Sequence, residues 1–258
     1  EKLDDFKTPL LSQEQKKALL LLTRALNSQR FSAVLLHGVT GSGKTEVYLR
    51  IIEETLKMGK TALVLMPEIS LTPRIAQEFD ARLKSQIAIL HSGLSAGERY
   101  DEWWRIKNGR AQVVIGTRSA VFAPLSNLGL IVVDEEHDPS YKQQESPRYH
   151  GRDTALVLGK KTEALVILGS ATPSIETFYN AKVGKYGYLR LSSRIDYRPL
   201  PKVELVDMRK EFSSLNNKSP ISIQLSSALE KRLTKNEQSI ILINRRGYSN
   251  FLLCRRCG

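Results

Sequence analysis

The stretch LLHGVTGSGKTEVY, residues 35–48, constrains the fold more than any other part of this 258-residue chain. It passes from apolar residues through Gly38, Gly41 and Gly43 into Lys44 and Thr45, in the order Gly-x4-Gly-Lys-Thr. Glycine lets backbone N–H groups turn towards an anion, and the first turn of a helix adds its positive dipole end. The pattern therefore predicts a phosphate-binding loop between a buried strand and a helix.

Each part of this loop predicts a contact with a nucleotide. The ammonium group of Lys44 can reach the β- and γ-phosphates, and the hydroxyl of Thr45 can join the shell of a Mg²⁺ ion. The further residues predicted to bind the nucleotide lie in the loop or in the first helical turn: Gly38, Thr40, Gly41, Ser42, Gly43 and Glu46.

Short apolar runs alternate with amphipathic segments from residue 31 onward. The predicted strands cover residues 33–37, 62–66, 87–91, 112–116, 130–134 and 164–169. The predicted helices cover residues 44–58, 73–84, 96–107, 152–161 and 174–183. Val, Ile and Leu fill the strands without a period of two, which predicts an α/β fold with a parallel sheet covered by helices on both faces. Trp103 and Trp104 lie in the third of these helices, and one of the two rings is expected to pack inward.

A fully apolar segment ends in three acids and a histidine at residues 130–137, LIVVDEEH. The carboxyl ends of parallel strands meet at one edge of the sheet, so Asp134 is predicted to lie beside the phosphate loop and to hold Mg²⁺ through water. Glu135 is then placed to orient and deprotonate an attacking water. Lys44, Asp134 and Glu135 are the predicted catalytic residues, and an acid cluster on an exposed loop is the alternative.

The formal net charge of +12 is concentrated in the last third of the chain. Residues 182–258 hold 16 Lys and Arg against 6 Asp and Glu, which leaves a net charge of +2 for residues 1–181. A basic block of this size is typical of proteins that bind a polyanion such as nucleic acid. Charge alone leaves open the alternative of ordinary solvated side chains on surface helices.

Breaker-rich segments divide the chain, with RPLP at residues 198–201 and NNKSP at residues 216–220. They predict a first domain over residues 1–190, an interdomain crossing over 191–220, and the start of a second α/β domain over 221–258. That second part contains a predicted helix at 222–233 and a predicted strand at 239–244. The first residue is not Met, which indicates an excerpt of a longer protein.

The two cysteines, Cys254 and Cys257, have the C-x2-C spacing of half a tetrahedral zinc site. So few cysteines indicate a reducing compartment rather than a disulfide scaffold. No apolar run reaches the roughly 20 residues that would span a bilayer.

Taken in order, the motifs resemble those of superfamily 2 helicases. Besides the phosphate loop and DEEH, they are PEISLTP at 67–73, GTRSA at 116–120, GSATP at 169–173 and IILINRRGY at 240–248. The further stretches DPSYKQQESPRYHGRD, LGSATPSIET and LLCRRCG are similar to the PriA family, the primosomal replication-restart helicases of bacteria (primosomal protein N′).

The resemblance implies a RecA-like ATP-binding lobe followed by the start of a second RecA-like lobe. It implies ATP and Mg²⁺ as cofactors and 3′-to-5′ movement on DNA at stalled forks and D-loops, leading to primosome assembly. It also implies Zn²⁺ in the full-length protein, bound by an insert that begins at Cys254 and Cys257. The implied partners are single-stranded and forked DNA, single-stranded DNA-binding protein and primosome proteins, in the cytoplasm with the nucleoid and without a membrane.

The resemblance also assigns individual residues. Gln15, with Gln13 as the alternative, would lie near the adenine, and His137 would sense whether DNA is engaged. Arg118 and an aromatic-rich loop would couple DNA to ATP hydrolysis; the loop residues are Tyr141, Lys142, Gln143, Gln144, Arg148 and Tyr149. Independently of the resemblance, rings and cations suit a single strand, because bases stack on rings and phosphates meet cations. The alternative is a surface loop that packs on its own domain.

Two other classes of protein are alternatives. A restriction-type motor subunit would share Lys44 and Asp134 but would not need the YKQQ segment or the cysteine pair. A P-loop GTPase would need Asn-Lys-x-Asp, whereas residues 217–220 read NKSP, and a P-loop kinase is the remaining alternative. The arginine fingers expected in a second lobe are not in this sequence, so the chain alone is expected to hydrolyse ATP weakly.

Overall fold

The computed structural model describes residues 9–67, 73–83, 86–195, 201–214 and 221–242. Contacts divide the chain into two compact units, residues 1–198 and residues 199–258. Residues 68–72 of the PEISLTP motif, residues 243–248 of the IILINRRGY motif and both cysteines lie outside the described residues.

Seven strands form a single sheet in the first unit. They are β1 (Ser32–Gly38), β2 (Thr61–Leu65), β3 (Ile87–Leu90), β4 (Val113–Gly116), β5 (Leu128–Val133), β6 (Leu165–Ser170) and β7 (Gly187–Leu191). The strand order is β3-β4-β2-β5-β6-β1-β7, and every paired strand runs parallel to its neighbour. The predicted parallel α/β sheet is confirmed.

Helices cover both faces of this sheet. They are α1 (Gln13–Asn27), α2 (Lys44–Lys57), α3 (Pro73–Leu83), α4 (Ala96–Lys107), α5 (Gly151–Thr162) and α6 (Ile175–Lys182). One apolar cluster joins α1, α2 and α3 to one face, and a second cluster joins α4 and α5 to the other. The strand interiors are buried on both sides, which is why their sequences show no alternation of apolar and polar residues.

The strand order determines where the site forms. β6 lies between β1 and β5, so the segments that follow these three strands leave the sheet at one edge. The phosphate loop follows β1, the acids follow β5, and the GSATP segment includes the end of β6. This is the edge at which open parallel sheets bind ligands.

Three features differ from the sequence expectations. The strand β7 and the helix α1 were not expected, although the capping box between Ser12 and Gln15 is a local signal for α1. Trp103 and Trp104 are 41% and 42% exposed, so the expectation of an inward ring is wrong. The reason is that α4 buries only Ile106.

The second unit contains α7 (Met208–Ser214) and α8 (Ile223–Leu233) among its described residues. Ser222 caps α8, since its hydroxyl accepts a hydrogen bond of 3.0 Å from the Leu225 N–H. Residues 239–242 form no strand, although they belong to the strand predicted at 239–244. A strand needs a hydrogen-bonded neighbour, and residues 201–214 and 221–242 provide none.

The close approach of α5 to β6 predicts the effect of a single methyl group. A Cβ atom at Gly159 would collide with Cγ2 of Val166, so Gly159→Ala should lower the free energy of unfolding by about 1–3 kcal/mol. Gly97 in α4 is the matched control: a Cβ atom there meets nothing within 4 Å, and Gly97→Ala should be neutral or stabilising by about 0.4–1 kcal/mol. Urea denaturation measures both changes, and equal midpoints for the two variants would contradict the packing described for α5.

Candidate active site

The phosphate loop is a tight turn that only glycine can form. Gly41 and Gly43 have φ angles of 79° and 76°, in the left-handed region. A Cβ atom at Gly38 would lie 2.5 Å from the Ser42 hydroxyl oxygen, and one at Gly43 would collide with the Gln15 amide nitrogen. Within the described part of the chain, the N–H groups of Gly41 and Gly43 donate to no protein acceptor. Unpaired N–H groups at the start of a helix fit an anion, and the side chain of Ile195 lies close to Gly43 beside them.

The lysine of the loop and the acid after β5 face each other. Lys44 Nζ donates a hydrogen bond of 3.0 Å to the Gly38 carbonyl and lies 3.9 Å from Glu135 Oε1. The two groups therefore meet at one edge of the sheet, as predicted. Glu135 has a φ angle of 44°, so the chain turns sharply out of the strand direction at this residue.

Asp134 stands where a Mg²⁺ ligand is expected. Its N–H donates to the Leu65 carbonyl across the sheet, and its carboxylate accepts a hydrogen bond from the Tyr48 hydroxyl. Burial raises the pKa of the Asp134 carboxyl, and the Tyr48 hydroxyl opposes that shift. The carboxylate of Asp134 and the hydroxyl of Thr45 are oxygen donors that suit a hard cation.

The described residues contain no cluster of three or more His, Cys, Asp or Glu side chains that could bind a metal ion without other ligands. Mg²⁺ is normally bound through one or two carboxylates together with substrate phosphates.

His137 connects the acids to the GSATP segment. Its Nδ1 lies 2.8 Å from the Ser170 hydroxyl and 3.7 Å from Glu135 Oε2, and its Nε2 lies 3.3 Å from the Thr172 hydroxyl. The ring therefore touches both the residue predicted to orient water and the end of β6. This position suits the coupling role predicted for His137.

The sequence gives no individual role to Glu136, which the structure places in a buried network. It is fully buried and accepts hydrogen bonds from Arg152 at 3.0 Å, from the Ser174 N–H at 2.7 Å and from the Thr177 hydroxyl at 2.8 Å. The network ties the acid segment to α5 and α6. No local sequence signal predicts this network, because the partners of Glu136 lie 16, 38 and 41 residues away from it along the chain.

Gln15 supports the phosphate loop. Its amide nitrogen lies 3.0 Å from the Ser42 carbonyl and 3.4 Å from the Gly43 carbonyl, and its Oε1 accepts from the Ser12 N–H at 2.7 Å. This side chain is buried, whereas Gln13 is exposed. The amide N–H groups are directed to the loop backbone, and the contact of Gln15 with adenine stays a prediction.

Glu46 was predicted to bind the nucleotide, and the structure contradicts this. Its buried carboxylate pairs with Arg50 at 2.7 Å and with Arg82 of α3 at 3.1 Å. These two guanidinium groups occupy its acceptors and tie α2 to α3. The carboxylate is therefore part of the helix packing.

The segment that follows β7 lies against the phosphate loop. The Ile195 N–H donates to the Gly41 carbonyl at 3.0 Å, and the Ser192 N–H donates to the carboxylate of Glu14 in α1 at 2.8 Å. Residues 191–195 fall in the predicted interdomain crossing. The first residues of that segment therefore contact the loop directly.

A short hairpin carries most of the residues predicted to touch DNA. Lys142 and His150 form an antiparallel bridge, and the Gln143 N–H donates to the Tyr149 carbonyl at 2.8 Å. Lys142, Gln144 and Arg148 are exposed on this hairpin.

Arg118 donates to the carbonyls of Ser140 and Lys142 at 3.0 and 3.1 Å and so fixes the base of the hairpin. Its direct contact with DNA stays a prediction.

The two tyrosines of the loop differ in exposure. Tyr141 is 1% exposed, and its hydroxyl lies 2.6 Å from the Asp134 carbonyl and 3.0 Å from the Leu65 carbonyl. The prediction that Tyr141 touches single-stranded DNA is therefore wrong, because its ring fills the core under the sheet. Tyr149 is half-buried against Phe122, with ring centroids 5.0 Å apart.

The buried pair between Glu136 and Arg152 predicts a large change in stability. Arg152→Ala would leave the Glu136 carboxylate buried without its cation, so the free energy of unfolding should fall by about 3–5 kcal/mol. Lys57→Ala, which removes an exposed ion pair with Glu54, is the control and should not shift the midpoint measurably. Thermal melting compares them, and a wild-type midpoint for Arg152→Ala would refute the importance of this pair.

Comparison with known proteins agrees with this geometry. Residues 12–181 match the family model of the DEAD/DEAH box helicases. The chain is 48% identical over 96% of its length to the replication restart protein PriA of Bacillus subtilis, and 45% identical over 94% to PriA of Haemophilus influenzae. It spans only 31% and 33% of these two relatives.

Solved structures show the same fold at low sequence identity. RecG bound to a three-way DNA junction matches with a TM-score of 0.55 and 19% identity, covering 88% of this chain and 31% of RecG. A hypothetical ATP-dependent RNA helicase from Sulfolobus tokodaii matches with a TM-score of 0.51 and 18% identity, covering 70% of this chain and 53% of that protein. None of the described helices has the length and apolar character needed to cross a membrane. The resemblance to PriA proteins is confirmed over nearly the whole chain, and the chain belongs to the DEAD/DEAH box helicase family.

Proposed function

We propose that this chain is the ATP-hydrolysing lobe, with the beginning of a second lobe, of a replication-restart DNA helicase. One observation carries the proposal: Lys44 Nζ approaches Glu135 Oε1 to 3.9 Å, beside unpaired N–H groups of a glycine loop. The similarity to replication restart proteins supports a role in replication restart. The finer parts of the proposal are 3′-to-5′ movement at stalled forks and D-loops, leading to primosome assembly.

The residues of the site divide the chemistry among them. When bound, ATP would supply the phosphoryl group and Mg²⁺ would neutralise part of its negative charge. Lys44 and the loop N–H groups would hold the phosphates, and Thr45 and Asp134 would hold the ion. Glu135 orients the attacking water and accepts its proton. Burial of the strands on both sides of Asp134 keeps these groups in fixed positions.

The hairpin offers a physical route from DNA to this chemistry. Lys142 and Arg148 are exposed cations that suit phosphates, so DNA binding is sequence-independent and sensitive to salt. Tyr141 at the base of the hairpin holds the Asp134 carbonyl, and His137 contacts Glu135 and Ser170. A movement of the hairpin on a DNA strand would therefore reach Asp134 of the ATP site through Tyr141.

The remaining features of the proposal concern the longer protein. Residues 1–190 form the first lobe, residues 191–220 the crossing, and residues 221–258 the beginning of the second lobe. Cys254 and Cys257 contribute to a zinc site with further ligands in that longer protein. Single-stranded DNA-binding protein and primosome proteins are the proposed partners, at the nucleoid in the cytoplasm.

Nucleotide binding tests the proposed ATP site. Lys44→Ala removes a charge-assisted contact, so the affinity for a fluorescent ATP analogue with Mg²⁺ should fall about 10- to 100-fold. Lys161→Ala, which removes an exposed lysine of α5, is the control and should bind as the wild type does. Competition with unlabelled nucleotides separates the classes of protein: displacement by GTP but not by ATP would contradict the proposal.

Salt dependence tests the proposed DNA surface. The double variant Lys142→Ala/Arg148→Ala should bind single-stranded DNA more weakly, and the slope of log K against log salt should fall by about 1.4 for two lost phosphate contacts. Lys160→Ala/Lys161→Ala removes the same charge from α5 and should leave the slope unchanged. Fluorescence anisotropy across a salt series measures both slopes. Equal slopes for the two double variants would exclude the hairpin as a DNA contact.

A further inference from the structure

A buried tyrosine that the proposed mechanism does not use lies against the acid of the metal site. Tyr48 is fully buried in α2, and its hydroxyl donates a hydrogen bond of 2.9 Å to Asp134 Oδ1. It follows Lys44 by four residues, so both side chains lie on the same face of the helix. The helix that begins at the phosphate loop thus reaches the acid of the next motif directly.

Gly169 in β6 makes room for this contact. A Cβ atom at Gly169 would collide with the Tyr48 hydroxyl and would lie 3.3 Å from Asp134 Oδ1. The hydroxyl therefore occupies the space between β6 and the carboxylate. Its position depends on residues from three motifs: the helix after the phosphate loop, the acids after β5 and the glycine of GSATP.

The hydrogen bond leaves the two carboxylate oxygens unequal. A phenol has one proton to donate, and here that proton goes to Oδ1. The backbone of Asp134 is fixed separately, because its N–H donates to the Leu65 carbonyl and its own carbonyl accepts from Tyr141. Oδ2 accepts no hydrogen bond from a described side chain, so with the backbone held it is the oxygen better placed to face an ion or its water.

We propose that Tyr48 is the positioning residue of Asp134, which selects the carboxylate oxygen that faces Mg²⁺ and holds the side chain in that orientation. This inference rests on the proposed ATP site. Hydrogen-bond partners of metal ligands orient those ligands, and their removal typically costs 10- to 100-fold in metal affinity. Tyr48 acts through Asp134 and is expected to make no contact with the nucleotide.

The test is a Mg²⁺ titration of nucleotide binding. Tyr48→Phe keeps the buried ring and removes only the hydroxyl. The Mg²⁺ concentration for half-maximal binding of a fluorescent ATP analogue should rise about 10- to 100-fold. The affinity measured in EDTA should stay within about twofold of the wild type, because the phosphate loop is unchanged. Tyr179→Phe removes an exposed hydroxyl from α6 and serves as the matched control.

Two further measurements distinguish a specific loss of the Tyr48–Asp134 hydrogen bond from partial unfolding or an unrelated effect. Titration to saturation in EDTA counts the folded molecules, so partial unfolding of Tyr48→Phe is corrected for. In an Asp134→Ala background the same phenylalanine change should have no further effect on the Mg²⁺ requirement, since its target is gone.

An unchanged Mg²⁺ requirement in Tyr48→Phe, or an equal loss with and without Mg²⁺, would overturn the inference while leaving the ATP site intact. If the wild type itself binds no nucleotide in a Mg²⁺-dependent way, the proposed function fails and the inference falls with it.

Discussion

The hydrogen bonds that hold β6 between β1 and β5 determine which segments meet at the site. Because the three strands are parallel and in register, the phosphate loop, the acid segment and the GSATP segment leave the sheet side by side. Lys44 and Glu135 are 91 residues apart in the sequence, and this ladder brings their charged groups within 3.9 Å. The interiors of all three strands are almost completely buried, so the spacing cannot relax without opening the core.

Buried polar side chains around the site support this arrangement. Gln15 braces the carbonyls of the phosphate loop, and Glu136 ties the acid segment to α5 and α6 through Arg152 and Thr177. Each of these contacts satisfies a buried polar group, which would otherwise cost free energy. The same contacts that stabilise the fold therefore also orient the residues proposed to act on ATP, and the hairpin is attached to them through Tyr141.

The parts of the molecule that the sequence predicted are those with local signals. Patterns among neighbouring residues predict the glycine loop, the apolar strand before Asp134 and the alternation of strands and helices. The bounds of these elements in the structure agree with the predicted ones within one or two residues. Outside the site, β7 and α1 were not expected and residues 239–242 do not form the predicted strand. At the site, the failures concern the direction of a side chain. Glu46 and Tyr141 have residue types typical of ligand-binding groups. In the structure, however, Glu46 forms an ion pair with Arg82, and the Tyr141 ring packs in the core beneath the sheet. The partners of Tyr48 and Glu136 come from distant segments, so no spacing in the sequence could have indicated them.

A crystal structure of the chain with Mg²⁺ and a non-hydrolysable ATP analogue tests the central claim most directly. The account predicts the phosphates against the N–H groups of Gly41 and Gly43, with Lys44 on the terminal phosphates. It also predicts the ion between the Thr45 hydroxyl and Asp134, directly or through one water. Phosphates bound away from the glycine loop, or an ion remote from Asp134, would contradict it.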